Sequence, residues 1–204
     1  MQNSVAVAAV GLAIWMFSLS FADAAYYGYP GPLTPRVDRI SFGPLVLPPF
    51  AHARFCLQYS RECRIRGIPF RGESVSLTKE RWSQLSTVNR TVNRAIRPQR
   101  NHEGIWGERW LLSPKAGDCN DYAVTKRHQL LRMGWPTHSL LLAEVVIPGG
   151  EHHLVLVGRT LEGDFVLDNL TQEILPWSET RYRWVRIQSP HNPAYWSEVL
   201  SFGI

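Results

Sequence analysis

Cys119 occupies a position at which a thiol can act as a nucleophile. It follows Asp118, a residue type that favours helix N-caps, at the start of a predicted helix. The pKa of a thiol falls at a helix N-terminus and beside an imidazole, and the thiolate is the reactive form. The backbone N–H groups of the first helical turn can also hold the oxyanion of an acyl intermediate. We therefore predict that Cys119 is a catalytic nucleophile.

A base and an orienting acid for this thiol are predicted in the second half of the chain. His153 begins a predicted strand before the run Leu-Val-Leu-Val, and Asp168 ends the next strand. Because the start of one antiparallel strand lies beside the end of the next, the two residues can be cross-strand neighbours. A carboxylate there would fix the imidazole tautomer and stabilise the imidazolium. His152 is adjacent, but side chains alternate along a strand, and the position before the apolar run favours His153 as the base.

The elements that position these residues are helices in the first half of the chain and strands in the second. Apolar residues at intervals of three and four predict helices over 51–59, over 77–96 after a cap at Ser76, and over 119–133 after a cap at Asp118. Apolar, β-rich segments predict strands over 139–147, 153–160, 165–168 and 184–187. This order predicts an α+β fold in which N-terminal helices pack on an antiparallel sheet.

The first 24 residues have the character of an export signal. An almost unbroken apolar run over 5–22 is followed by Ala22-Asp23-Ala24, a pattern of small residues that predicts cleavage. Residues 1–4 carry no Lys or Arg and the run is long enough to span a bilayer, so a retained anchor is the alternative. We predict a signal peptide over 1–24, an irregular Pro/Gly-rich arm over 25–50 and one folded domain over 51–204 in a periplasmic or secreted protein.

The cysteine count leaves at least one thiol unpaired in an exported chain. There are three cysteines, and Cys56 and Cys63 are near enough in sequence to close a small disulfide loop in an oxidising compartment. That pairing would leave Cys119 free, although counting alone does not exclude the other pairings. No zinc site is expected, since no second close Cys or His pair completes four ligands.

The charge of the chain does not point to nucleic acid. The net charge is +5 and the pI is about 9.4, but the basic residues are dispersed and no nucleic-acid-binding motif is present. We expect a solvated basic face and no nucleic-acid partner. A membrane contact is expected only through a retained signal segment. The sequence does not indicate an oligomeric state.

Three ordered motifs carry a resemblance to a known family. They are Gly-Asp-Cys-Asn-Asp-Tyr-Ala before a helix, then His-Leu-Val-Leu-Val-Gly-Arg-Thr, then Gly-Asp-Phe-Val-Leu-Asp-Asn-Leu. Together, across roughly residues 55–182, the chain resembles the bacterial transglutaminase-like cysteine proteinases. The resemblance implies a papain-like or transglutaminase-like fold, with Cys119 as nucleophile, His153 as base and Asp168 as the residue that orients the base.

The resemblance also implies a biological setting and a metal. Studied members of that family are calcium-dependent periplasmic proteases that clip a large surface adhesin and so release biofilm cells. Acidic residues flanking their catalytic cysteine help to bind calcium, and Asp118 and Asp121 match such positions. Asn120 stands where the family pattern usually has an acid. The sequence by itself requires no cofactor, so calcium follows from the resemblance alone.

Three functions are consistent with these residues. The first is an exported cysteine endopeptidase that acts on a protein substrate. The second is a protein-modifying acyltransferase of the transglutaminase type, which differs in whether an amine or water reaches the thioester. The third is a non-catalytic module that binds peptides in the same groove. Trp106 and Trp110 either line that groove or pack in the core.

Overall fold

A computed structural model describes residues 39–65 and 75–200. The predicted signal peptide over 1–24 and most of the predicted arm lie outside the described residues, so those predictions stand as made. No helix within the described ranges combines the length and the apolar character that crossing a bilayer would require.

Helices precede most of the strands along the chain, as the sequence predicts. The helices are α1 (Phe50–Gln58), α2 (Lys79–Ala95), α3 (Gly104–Gly107) and α4 (Cys119–Arg132). The first strands are β1 (Ser41–Val46), β2 (Arg97–Pro98) and β3 (Ala116–Gly117). The later strands are β4 (Leu140–Val146), β5 (His152–Thr160), β6 (Gly163–Leu167), β7 (Ile174–Pro176), β8 (Arg183–Gln188) and β9 (Trp196–Leu200).

The centre of the fold is a seven-stranded sheet in the order β1-β9-β8-β4-β5-β6-β7, in which every neighbouring pair is antiparallel. A separate short parallel pair joins β2 to β3 just before α4. The prediction of an α+β fold with helices packed on an antiparallel sheet is confirmed.

Side chains that alternate along the strands build two apolar clusters. Leu154 and Leu156 of β5 pack with the buried faces of α1, α2 and α4. Val155 and Val157 belong to a second cluster, which includes Ile40 and Trp177. Burial of both faces explains why β4 and β5 are almost continuously apolar rather than alternating in polarity.

Strand β1 corrects one prediction made from the sequence. The arm predicted as irregular over 25–50 contains Ser41–Val46, which pairs with β9 at the edge of the sheet. Pro44 is compatible with a strand here because the register shifts between Phe42 and Leu45, and proline is tolerated at bulges and sheet edges, where its missing N–H costs no ladder bond.

The start of α2 corrects a second prediction. Its N-cap is Thr78 rather than Ser76, since the Thr78 hydroxyl accepts a hydrogen bond from the backbone N–H of Arg81. The backbone N–H of Leu77 instead donates to the Glu162 carboxylate at 2.7 Å. A long-range contact therefore holds the residues before α2 outside the helix.

Candidate active site

Helix α4 begins at the cysteine that the sequence singles out. Asp118 is the N-cap, and its Oδ1 accepts a hydrogen bond from the Asn120 N–H at 3.0 Å. Asp121 completes a capping box by accepting from the Asp118 N–H through Oδ2 at 3.2 Å. The predicted cap is confirmed, and it fixes Cys119 as the first residue of the helix.

Gly117 is required by the close packing of this capping box. A Cβ at position 117 would lie 2.1 Å from Asp121 Oδ2. The other oxygen of Asp121 accepts from the Leu111 N–H at 2.7 Å, so both oxygens of this carboxylate are used in local structure. The chain entering α4 therefore has little room to shift around Cys119.

His153 and Asp168 lie together, as the hairpin argument predicts. His153 Nε2 donates to Asp168 Oδ1 at 2.8 Å, and both side chains are buried. The register pairs Leu156 with Leu167, which brings the start of β5 beside the residue that follows β6. Because Nε2 is used by Asp168, Nδ1 is the nitrogen left for a proton from a thiol.

Asp168 is held by hydrogen bonds at both carboxylate oxygens. Oδ1 also accepts from the Leu170 N–H at 3.0 Å, and Oδ2 accepts from the Tyr182 hydroxyl at 2.5 Å. Burial alone would raise the pKa of Asp168, but the hydrogen bonds from His153, Leu170 and Tyr182 outweigh it, so the pKa lies below its usual value. Asp168 is therefore ionised beside the imidazole.

Cys119 differs electrostatically from the sequence-based expectation. Burial raises the pKa of its thiol to about 12; the Leu154 N–H lowers it, while the charges of Asp118, Glu108 and Asp168 raise it. Burial and these carboxylates act against the lowering of the pKa that was expected from the helix N-terminus. The thiol is thus protonated at rest, and a base must remove its proton as the nucleophile attacks.

His152, the other histidine of the pair, belongs to a different cluster. Its Nδ1 pairs with Glu144 Oε1 at 2.6 Å, and Arg186 Nε donates to Glu144 Oε2 at 2.5 Å. His152 is largely exposed, whereas His153 is buried. In this geometry His153, and not His152, contacts Asp168.

Cys119 and His153 line a continuous cleft with two lobes. Both lobes share a centre formed by Glu108, Cys119, Asn120, His152 and His153. The lobe beside α1, called the α1 lobe, has a volume of about 480 Å³ and is lined further by Pro49, Phe50, Ala51, Trp110, Glu144, Leu154 and Arg186. The lobe beside β2, called the β2 lobe, has a volume of about 490 Å³ and adds Gln99, Arg100, Asn101, His102, Asn169 and Leu170.

The sequence did not single out three residues that the structure brings to the site. Glu108 accepts hydrogen bonds from Trp110 Nε1 at 3.4 Å and from the Asn120 amide. Tyr182 donates to Asp168, and Asn93 of α2 donates to the Asp168 backbone carbonyl at 2.8 Å. Glu108 and Tyr182 lie outside the predicted periodic elements, so spacing gave no signal for them.

The acidic residues near α4 form a cluster of like charge. Burial raises the pKa of Glu108, and the charges of Asp118 and Glu144 add to this effect. Burial likewise raises the pKa of Asp121 to about 6, with further contributions from Asp118 and Glu108. Oxygen ligands of this kind suit calcium.

A different group of residues holds close metal-binding atoms within the described ranges. It consists of His52, Cys56 and Cys63. Its two sulfurs are joined in a disulfide, which confirms the predicted pairing and leaves Cys119 as the free cysteine. The disulfide removes both thiolates as ligands.

Comparisons with known proteins give a family and a set of distant structures. The model of the bacterial transglutaminase-like cysteine proteinase family matches residues 43–202. No curated protein matches. Among solved structures, Legionella pneumophila LapG is similar at 26% identity and a TM-score of 0.43, over 52% of this chain and 62% of that one. Its calcium-bound form is similar at 24% identity and a TM-score of 0.45, over 52% and 63%. The chain thus covers less than two thirds of that protein.

Proposed function

We propose that this chain, which belongs to the bacterial transglutaminase-like cysteine proteinase family, is an exported endopeptidase with Cys119, His153 and Asp168 as its catalytic triad. The observation that carries the proposal is the buried hydrogen bond to Asp168 from His153, which lines the same cleft as Cys119. Family membership supports a cysteine peptidase, and the geometry supports the assignment of the three roles.

The proposed reaction begins with proton transfer from the Cys119 thiol to His153 Nδ1. The sulfur then attacks a backbone carbonyl carbon, and the amide N–H of Cys119 at the start of α4 is the donor we assign to the oxyanion. The C–N bond breaks as His153 returns the proton to the leaving amine. Water, deprotonated by His153, then hydrolyses the thioester and restores the thiol. Asp168 remains ionised and stabilises the imidazolium throughout.

An oxidising compartment is part of the proposal. The Cys56–Cys63 disulfide is of a kind that persists outside the cytosol, and the predicted export signal over 1–24 agrees with it. We therefore propose a periplasmic or secreted enzyme. The proposal that its protein substrate is a surface adhesin rests only on the family resemblance. Fractionation of the native host, with the mature N-terminus sequenced, tests the location; recovery of the chain in the cytosol with residues 1–24 retained would contradict it.

Calcium is proposed at the acidic cluster before α4. Asp118 and Glu108 both line the β2 lobe, and the charge of Asp118 raises the pKa of Glu108, so their carboxylate oxygens are the ligands we assign to a cation. Bound calcium would offset the negative charge near Cys119. The expected result is that calcium raises the melting temperature of the wild-type protein and does so less for Asp118→Asn. An equal rise in both proteins would exclude Asp118 as a ligand.

Incubation with a complex peptide mixture tests the proposed function. New peptide termini should appear with the wild-type enzyme and be lost with Cys119→Ala and His153→Ala, while the matched control His191→Ala, an exposed histidine outside the cleft, retains cleavage. A labelled primary amine in the same reaction distinguishes acyl transfer from hydrolysis. Cleavage by Cys119→Ala at the wild-type rate would reject the proposal.

A further inference from the structure

An exposed aromatic pair lies at the rim of the catalytic cleft. Phe50 and Trp106 are 50% and 73% exposed, and their ring centroids are 5.3 Å apart in an edge-to-face arrangement. Phe50 itself lines the α1 lobe, so the pair continues the wall of that lobe outward. Large aromatic side chains left in water at a cleft mouth can gain free energy by covering an apolar group.

The pair is held in place from both sides. Arg54 of α1 donates from Nη1 to the Trp106 carbonyl at 2.8 Å and to the Glu108 carbonyl at 3.5 Å, which ties the segment containing α3 to α1. The disulfide of Cys56 anchors the other end of α1. The rim is therefore built on a fixed helix, and its rings need little ordering when a ligand binds.

The interior of the α1 lobe is largely apolar. Ala51, Trp110 and Leu154 are at most 4% exposed and line the lobe, with Pro49 beside them. Polar groups line the lobe too, but Pro49, Phe50, Ala51, Trp110 and Leu154 give it a large apolar share. A ligand group that fills this lobe would exchange water for hydrocarbon contact.

The charged groups of the α1 lobe are already paired within the protein. Glu144 contacts both Arg186 at 2.5 Å and His152 at 2.6 Å. Glu108 accepts from Trp110 and from Asn120. Glu144 therefore already has a cationic partner in Arg186, so an uncharged ligand group in this lobe does not leave that carboxylate unpaired.

We propose that the α1 lobe, with Phe50 and Trp106 as its rim, is a specificity subsite that takes an apolar side chain of the substrate on one side of the scissile bond. The proposal rests on the proposed function, because it treats Cys119 as the centre of the cleft. It defines the substrate class as proteins whose cleavage segment carries an aliphatic or aromatic residue at that place. Burial of such a side chain typically favours it by about ten- to a hundredfold in rate constant.

Alkylation of Cys119 by small iodoacetamides tests the subsite without knowledge of the substrate. In each reaction the Cys119 sulfur displaces iodide from the reagent and loses its proton. Because Cys56 and Cys63 are bonded to each other, the gain in protein mass measures alkylation of Cys119 alone. Rate constants are compared for iodoacetamide, N-benzyl iodoacetamide and N-(2-hydroxyethyl) iodoacetamide. The proteins are wild type, Phe50→Ala, Trp106→Ala and the control Leu57→Ala, which alters an 85% exposed side chain of α1 outside the cleft.

The expected result is a preference for the benzyl reagent over both others by about tenfold in the wild type and Leu57→Ala, after correction for reaction with a free thiol. Phe50→Ala and Trp106→Ala should reduce that ratio to near one, whereas Leu57→Ala should keep the ratio of the wild type. Equal corrected rates for all three reagents on wild type would overturn the subsite. A preference that survives both rim variants would overturn the assignment to Phe50 and Trp106.

Cleavage of a peptide mixture that is independent of Cys119 would instead reject the proposed function. Failure of the subsite and failure of the proposed function are therefore distinguishable.

Discussion

At the scale of single residues, Cys119 is surrounded by negative charge. Burial raises the pKa of the thiol, and the charges of Glu108 and Asp118 raise it further. The imidazole of His153 lines the same cleft as Cys119, and its Nε2 is hydrogen-bonded to Asp168. The reactivity of the sulfur therefore depends both on the removal of its proton and on how much of the nearby charge is neutralised.

Glu108→Gln should make Cys119 more reactive. The change removes a negative charge while a side-chain oxygen still accepts from Trp110 and Asn120, so the pKa of Cys119 falls and more thiolate is present. We expect iodoacetamide to react about three- to tenfold faster at mildly alkaline pH, the effect of up to one pKa unit. Glu198→Gln, on the outer face of β9, is the control. An unchanged or lower rate in Glu108→Gln would contradict the charge argument.

Tyr182→Phe should weaken catalysis through Asp168. A lowered carboxyl pKa means that the Asp168 carboxylate persists above that pKa and is lost as the pH falls through it. Loss of the Tyr182 hydrogen bond raises the pKa of Asp168, so activity should disappear at a higher pH on acidification. The maximal rate should fall by about tenfold, the equivalent of one hydrogen bond to a charged group.

The rate of acetylation by p-nitrophenyl acetate, measured against pH, checks the prediction for Tyr182. Tyr195→Phe serves as the control because Tyr195 is exposed and is not among the residues that line the cleft. A lower rate with an unmoved acid limb would indicate a merely structural role for Tyr182.

At the scale of elements, the entry to α4 determines the position of the nucleophile. Gly117→Ala would place a Cβ against Asp121 and break the capping box. We expect the free energy of unfolding to fall by roughly 1–3 kcal/mol, the range for a lost cap with local strain. Urea unfolding measures it. Gly158→Ala, whose added Cβ would meet neighbours at 3.6 Å or more, should be tolerated far better, and equal losses in both variants would contradict the account.

Local patterns at this scale were sufficient to predict much of the site. Asp118 caps α4 through hydrogen bonds with its immediate neighbours in sequence. His153 and Asp168 meet because β5 and β6 are consecutive strands of one hairpin. Contacts that join distant parts of the chain left no comparable signal. Strand β1 pairs with β9, and Glu162 displaces the start of α2 from Ser76 to Thr78.

The electrostatic state of the thiol was the least predictable feature. A helix N-terminus lowers a thiol pKa, and that effect is visible in the sequence. The opposing effect needs the folded arrangement, which buries Cys119 and brings the charges of Glu108 and Asp168 to it from two other segments of the chain. Tyr182 is a similar case, because it reaches Asp168 from the segment that precedes β8.

At the scale of the whole molecule, the disulfide between Cys56 and Cys63 holds the wall of the cleft to the core. Replacing both cysteines by serine frees a loop with a sequence separation of 7. Loop-closure entropy then predicts a loss of about 2.5 kcal/mol in the free energy of unfolding. Urea denaturation of the double variant against wild type measures the difference. A stability equal to that of wild type would show that the disulfide contributes nothing to holding α1.

A burst experiment with p-nitrophenyl acetate tests directly whether Cys119 is the nucleophile and His153 its base. We expect rapid release of one equivalent of p-nitrophenol from the wild-type enzyme, with one acetyl group found on Cys119 by mass spectrometry. The burst should vanish in Cys119→Ala and become much slower in His153→Ala. An undiminished burst in His153→Ala, or an acetyl group on any residue other than Cys119, would contradict the account.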